Sequence, residues 1–503
     1  MLNLEIASLA AGLVAMSTLA VAGPCDHYAS SGTPCIAAHG TTRALFNAYN
    51  EALYQVIRGS DNSTRDIFPR SAGGVANGNA QDNFCAGTTC LISIIYDQTG
   101  RGNHLTRAPG GSQGDGPEPG GYDYLASAIG APVKLNGQLA YGVFIPPKTG
   151  YRQNKVNGSA VGDQPEGMYA VLDGTHFNDG CCFDYGNAEV DNNDKGNGEM
   201  EAIYFGDRHV RGSGAGDGPW VLADLENGIF ADSTGGKNTN VPSSKSRFVT
   251  AVVKGEPNHW AIRGGNAASG PLSTYYDGIR PTAGGYYPMT KEGAIVLGVG
   301  GDNSRAGQGT FYEGIMTYGY PSDATENAVQ ADVVAAKYAP APLNSGPAIN
   351  VGSSVSLKAT SFCCTNKYLA HNGSDTGLQV VSSSSADALK KQASWTVRQG
   401  LGNRECYSFE SKDTPGTFLR HSQFQLYANA NDGGKQFRED ATFCLQAGLN
   451  GKGNSIRSWN YPTHYFRHYR GVGYLARNGG QRDADTTNLF NDDVSWIIRP
   501  GFA

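Results

Sequence analysis

Tyr368-Leu369-Ala370-His371, Phe418-Leu419-Arg420-His421 and Tyr465-Phe466-Arg467-His468 are three copies of one pattern, an aromatic three residues ahead of a histidine, with starts at 368, 418 and 465. Each is followed by a second matched segment: Gln392-Ala393-Ser394-Trp395, Asp440-Ala441-Thr442-Phe443 and Asp493-Val494-Ser495-Trp496. A period of about 50 residues repeated three times marks supersecondary units that bury their apolar faces only against one another. The runs between the turns are β-prone. Residues 352–503 are therefore predicted to form a three-lobed β-trefoil.

Working outward, residues 340–351 hold Pro340, Pro342 and Pro347 among small residues, a composition that cannot continue a helix and makes a short stiff linker. Ahead of it, residues 23–339 alternate short β-prone runs with Gly, Asn, Asp and Pro, the punctuation of a sandwich or barrel. The clearest runs are Leu91–Tyr96, Met168–Leu172, Glu201–Phe205, Trp220–Phe230, Phe248–Val253, Ala294–Val299 and Thr310–Tyr318. Two helices are predicted between them. One spans Thr42–Val56, with Leu45, Tyr49, Ala52, Leu53 and Val56 on one stripe. The other begins at Asp323, with Glu326 closing a capping box and Val329 and Val333 facing inward. The fold class is all-β in two domains.

Composition narrows the function. Gly makes up 69 of 503 residues, about twice the usual ~7%, and 26 Tyr, 19 Phe and 5 Trp provide flat surfaces for stacking. Lys+Arg 39 against Asp+Glu 45 gives a net charge of −6 with no basic block, which argues against a nucleic-acid partner and for a neutral substrate. Residues 1–22 carry an apolar run from Ile6 to Val21 that ends in Ala20-Val21-Ala22, a small-x-small site before Gly23, and read as a secretory signal peptide. Glu5 and the lack of Lys or Arg leave the amino terminus as its only positive charge. No later stretch reaches the ~20 apolar residues of a membrane span. A secreted, extracellular chain without a membrane partner is expected.

Ten cysteines, an even number, fit that oxidising destination. Their spacing suggests local bridges Cys25–Cys35, Cys85–Cys90 and Cys406–Cys444, and leaves two adjacent pairs, Cys181–Cys182 and Cys363–Cys364. A bridge between neighbours closes almost no loop and contributes little through chain entropy, so a stiff, flat sulfur surface is its better use. Only His176 lies near Cys181 and Cys182 at ligand spacing, and no metal or cofactor is expected. Asn62, Asn157 and Asn372 head glycosylation sequons.

In Trp220-Val221-Leu222-Ala223-Asp224-Leu225-Glu226-Asn227, a strand period of two places Asp224 and Glu226 on one face. A second acid, Asp302, follows the apolar run Ala294–Val299 and the pair Gly300-Gly301. Glycines there let a ligand approach the backbone and leave the carboxyl at the rim of a sheet, although Gly-Asp-Asn is also ordinary turn chemistry. Two carboxyls flanking one bond are what glycoside hydrolysis needs. Neither a serine-nucleophile elbow nor a His-Glu-x-x-His helix is read in the chain, so serine-hydrolase and zinc-protease chemistry lose support.

Tyr96-Asp97-Gln98-Thr99-Gly100-Arg101-Gly102-Asn103-His104-Leu105 is similar to a turn of concanavalin-like sandwich domains. The acidic strand, the Gly300–Asn303 rim and Asp179-Gly180-Cys181-Cys182-Phe183-Asp184-Tyr185-Gly186 resemble glycoside hydrolase family 54, the secreted α-L-arabinofuranosidases. The repeats resemble the arabinose-binding trefoil of carbohydrate-binding module family 42. The resemblance implies a concanavalin-like, jelly-roll sandwich and a retaining mechanism that removes terminal arabinofuranosyl groups from plant cell-wall polysaccharide. Within it Glu226 is the nucleophile and Asp302 the general acid/base, kept protonated by burial or a neighbouring carboxylate. Asp224, Asn227 and Gly301 would hold the furanose, and Cys181–Cys182 would pack on it. In the trefoil, His421 with Asp440 and His468 with Asp493 would each hold an arabinofuranose, while Gln392 leaves the first lobe, with Tyr368 and His371, weak or empty. Arg211 departs from the family by standing where an aromatic is expected, and Cys363–Cys364 lies outside its pattern. A monomer is expected. The competing class is a secreted lectin that binds such side chains without cleaving them.

Overall fold

The computed structural model describes residues 22–196, 198–282 and 285–503, so the expected leader lies outside the described residues except for Ala22. In the first domain, the long strand Glu166–Phe177 runs between Phe248–Glu256 and Gly309–Tyr318. Cys35–Gly40 adds beyond Gly309–Tyr318, and His259–Asn266 and Ser273–Gly278 beyond Phe248–Glu256. A second layer orders Trp220–Asp224, Glu201–Gly206, Asp184–Ala188, Ala294–Leu297 and Tyr151–Gln153, all antiparallel. The apolar side chains of both layers form one core that includes Met168, Ala170, Tyr185, Ile203, Leu297 and Phe311. This is a β-sandwich, as the all-β reading expects.

Glu166–Phe177 is buried along nearly its whole length, which a two-layer sandwich achieves only if its outer face is covered too. The helices Pro24–Ser30 and Asp323–Ala335 provide that cover: Tyr28 stacks on Tyr169, and Val329 and Val333 join the core. Glu326 on the second helix receives Lys254 Nζ at 3.2 Å and Arg263 Nη1 at 2.5 Å from the sheet, so its buried charge is paired. The helix is capped by Ser322, whose Oγ accepts from Thr325 N at 3.2 Å, and not by Asp323. Asp323 instead reaches Lys254 at 2.7 Å.

Two expectations fail. Residues 42–56 form no helix; they run as bends and turns into the strand Tyr54–Arg58. The apolar stripe is real, since Leu45, Leu53 and Val56 are buried, but its amides are met from far along the chain: Ala44 N by Gly74 O, Leu45 N by the Gln98 side chain and Leu53 N by Ile67 O. The run Trp220–Phe230 is likewise not one strand. It stops at Asp224 and resumes at Ile229.

The second domain is the trefoil, with twelve strands from Ser354–Ala359 to Ser495–Pro500, four to a lobe, and the last pairing with the first. Its core repeats the same three positions in each lobe: Leu357, Leu369 and Trp395; Phe409, Leu419 and Phe443; Ile456, Phe466 and Trp496. The indoles of Trp395 and Trp496 donate to Leu369 O and Phe466 O, an internal symmetry that Phe443 lacks an N–H to share. The domains are packed together. Trp459 meets Phe144 and His176 edge-on, Gln308 donates to Glu439, and Arg477 pairs with Glu118. All ten cysteines are bridged, in the five pairs named above. Removing the cap by Ser322→Ala should cost about 1 kcal/mol, read as a lowered thermal midpoint of the first domain, with Ser322→Thr nearly neutral.

Candidate active site and sugar-binding pockets

The catalytic end is built where the second layer meets the loop after Ala294–Leu297. Cys182 N donates to Ser304 O at 3.1 Å and Ala306 N to Cys181 O at 2.9 Å, so the Cys181–Cys182 turn and the loop carrying Asp302 are laced together. Gly307 permits the contact, because a Cβ there would lie 2.4 Å from the Cys182 carbonyl carbon. Cys182 Sγ lies 3.3 Å from Asp224 Oδ2, and Asp302 Oδ1 accepts from Ser304 N at 2.8 Å. Gly301 sits against Glu189, whose Oε2 would be 1.6 Å from an added Cβ. Arg152 holds both by donating to Gly301 O at 2.5 Å and to Glu189 O.

Glu226 reaches the same site by a different route from the alternation expected of it. The strand ends at Asp224, and Glu226 adopts a left-handed φ of 76°, with its amide donating to Asp224 Oδ1 at 3.0 Å. Its carboxylate is clasped by the preceding loop: Oε1 accepts from Lys195 N at 3.0 Å and Gly196 N at 2.7 Å, and Oε2 from Glu199 N at 2.7 Å. Asn227 lies beside Gly196, and its carbonyl accepts from Arg211 Nε at 2.9 Å. The clasp explains the turn. A strand continued through Leu225 would carry the carboxylate away from these amides.

Burial dominates the electrostatics. Asp224 is pushed up to about 7, Glu189 to about 8 and Asp184 well above the usual carboxylate range, in each case mainly by desolvation. Asp224 raises Asp184 further, whereas the hydrogen bond from Asp184 lowers Asp224, and the charge of Asp302 raises both. Burial also raises Glu226, but its three amide donors oppose the shift by favouring the ionised form. The site thus mixes carboxyls that keep their protons with one whose charge is stabilised by hydrogen bonds. Asp184, Glu189 and Arg152 are contributors that the sequence reading did not name. Asp184 stood inside the quoted cysteine motif, whereas Glu189 and Arg152 carry no motif. Gly110-Gly111-Ser112-Gln113-Gly114 does match the letters of a nucleophile elbow, contrary to expectation, but Ser112 lies in a tight turn and not between a strand and a helix.

The trefoil histidines occupy three related pockets. In the second lobe, Asn460 Nδ2 donates to Asp440 Oδ1 at 2.8 Å while its Oδ1 accepts from His421 Nε2 at 3.1 Å. In the third, Ser361 Oγ donates to Asp493 Oδ1 at 2.7 Å and accepts from His468 Nε2 at 3.0 Å. Both imidazoles therefore carry a hydrogen on Nε2. In the first lobe His371 also points Nε2 at a polar partner, Ser411 Oγ at 2.7 Å, but its Nδ1 donates to Gly373 O at 3.0 Å, so the hydrogen sits on Nδ1. Gln392 ends the short helix that supplies the acid in the other two lobes.

A carboxyl-rich rim on a β-sandwich, joined to a trefoil with acid–imidazole pockets, defines a two-domain carbohydrate-active hydrolase. Residues 24–339 match the family "Alpha-L-arabinofuranosidase B, catalytic", and residues 357–498 match the "Alpha-L-arabinofuranosidase B (ABFB) domain". The chain is 67% identical over 495 residues to a probable α-L-arabinofuranosidase B of Aspergillus clavatus, covering 98% of both chains. It is also 67% identical to an α-L-arabinofuranosidase of Hypocrea jecorina, covering 98% of this chain and 99% of that one. A solved GH54 α-L-arabinofuranosidase soaked with a cyclic sulfate inhibitor superposes with a TM-score of 0.95 at 60% identity, covering 96% of this chain and 100% of that one. An arabinofuranosidase complexed with arabinofuranosyl-α-1,2-xylobiose gives 0.94 with the same identity and coverage. The chain belongs to the α-L-arabinofuranosidase B family. It is a glycoside hydrolase that removes terminal arabinofuranosyl groups, and the non-catalytic lectin reading is set aside.

Two outcomes test the site. Gly301→Ala should lower kcat/KM for an aryl arabinofuranoside by about 10²-fold, the scale of a misplacement near 1 Å, and adding Glu189→Ala should restore part of it. Glu189 binds its proton more tightly folded than unfolded, so its contribution to stability is complete below its ordinary value of 4.5 and lost as pH rises through about 8. The thermal midpoint of the wild type should accordingly fall more steeply between about pH 5 and pH 8 than that of Glu189→Gln.

Proposed function

We propose that the chain cleaves α-L-arabinofuranosyl side groups by a retaining mechanism in which Glu226 is the nucleophile and Asp302 the general acid/base. The observation that carries this reading is the amide clasp on Glu226, which favours the charged carboxylate, while the Glu226 amide bonds Asp224, the residue that touches Cys182 Sγ. Glu226 forms a bond to the anomeric carbon as the glycosidic C–O bond breaks, and the departing oxygen takes the proton of Asp302. Asp302 then removes a proton from water, which attacks the same carbon and releases Glu226. Asp224, partly protonated near neutral pH, hydrogen-bonds the furanose hydroxyls together with Asn227 and the Gly301 backbone, and the sulfurs pack on the ring.

Arabinoxylan is a fitting polymer, because a related enzyme was crystallised with arabinofuranosyl-α-1,2-xylobiose. The second and third trefoil pockets hold further arabinofuranosyl groups, which raises the local substrate concentration without new catalytic contacts. An extracellular monomer suits the fully bridged cysteines and the exposed Asn62, Asn157 and Asn372. Glu226→Gln should lose at least about 10³-fold in kcat on every substrate. Asp302→Asn should lose about 10²–10⁴-fold on arabinoxylan but far less on an aryl arabinofuranoside whose phenol needs no protonation to leave. Equal losses on both substrates would remove Asp302 from the acid role.

A further inference from the structure

Cys363 and Cys364 are bonded to one another in a short 3₁₀ turn, Phe362–Cys364, that directly follows Ser361. Ser361 is the residue that bridges His468 and Asp493, so two hydrogen bonds fix this turn to the third-lobe pocket. Cys364 is packed into the trefoil core beside Leu369, while Cys363 stays exposed and Phe362 is 100% exposed. A cavity of about 380 Å³ opens here, lined by Cys363, Cys364, Leu378, His468, Leu489 and Asp493, a size suited to a small ligand.

The internal symmetry of the trefoil identifies what this position does. Asn460 and Ser361 occupy the same bridging place in the second and third pockets, each two residues past the strand position of Ser458 and Ala359. The residues that follow them are Tyr461 and Phe362. Tyr461 stands edge-on to His421 at 5.5 Å and so walls the second pocket with an aromatic ring. The third pocket has the bonded sulfurs lining its cavity together with Tyr469, and its counterpart of Tyr461, Phe362, projects clear of the surface.

We propose that the Cys363–Cys364 disulfide is the apolar wall of the third-lobe sugar pocket, against which the C–H face of an arabinofuranosyl group packs, and that Phe362 contacts the polymer chain bearing that group. Bonded sulfurs present a polarisable face with no rotamers to freeze on binding. The assignment rests on the reading of the third lobe as an arabinofuranose site. It is tested in the full chain made inactive by Glu226→Gln, with the second lobe silenced by Asp440→Ala, by calorimetric titration of arabinofuranosyl-xylobiose and of methyl α-L-arabinofuranoside. Replacing both cysteines with serine should weaken both ligands roughly fivefold. Phe362→Ala should weaken the xylobiose ligand alone. Parent-like binding by the double serine variant overturns the wall. Asp493→Ala separates the two failures, since parent-like binding by that variant removes the sugar site itself. With Asp493→Ala in place and the second lobe restored, the serine pair should leave binding unchanged, and a loss there would mean general damage to the trefoil and overturn the assignment.

Discussion

Two backbone hydrogen bonds between the Cys181–Cys182 turn and the loop Gly300–Gly307 govern the catalytic end of this enzyme. They fix the sulfur surface relative to Asp302, and through the 3.3 Å contact of Cys182 with Asp224 they locate the second layer of the sandwich against that loop. The arrangement tolerates no side chain at Gly307 or Gly301. With solvent excluded, three neighbouring carboxyls, Asp184, Asp224 and Glu189, are held toward their neutral forms. Glu226 escapes the same fate in part because it sits at the margin, where loop amides reach it. One close fit thereby divides the acids of the site into carboxyls pushed toward their neutral forms and one whose charge is favoured by amide donors.

How much of this could be read from the sequence depended on whether the controlling contacts were local. The trefoil was legible because repetition presents the same signal three times, and the pairing of Cys406 with Cys444 follows its second lobe. The acids at 224 and 226 were correctly grouped for an incorrect reason. Period-two alternation ends at Asp224, and nothing in the letters announces a left-handed Glu226, because the three amides that favour it come from residues 195–199. The helix expected over 42–56 failed in the same way: an apolar stripe at helical spacing was buried by distant partners, Gly74, Gln98 and Ile67. Likewise, no spacing could indicate that Gly373 O holds the first-lobe imidazole hydrogen on Nδ1.

The two domains meet through aromatic and charged contacts on several elements, not only through residues 340–351. Leu343 in that segment packs on Cys406, Cys444 and Trp459, and Asn344 bonds to the trefoil backbone. The trefoil pockets are thus held at a set distance and angle from the carboxyl cluster.

The second and third trefoil pockets each borrow a bridging residue from the lobe that follows, and for the third the follower is the start of the domain: Ser361 comes from the beginning of the trefoil, His468 and Asp493 from near the carboxyl end. Thr360 adds bonds to Asp492 O and Ser495 O across the same seam. The pocket at this seam is therefore complete only once the whole repeat array has been synthesised and its two ends have joined.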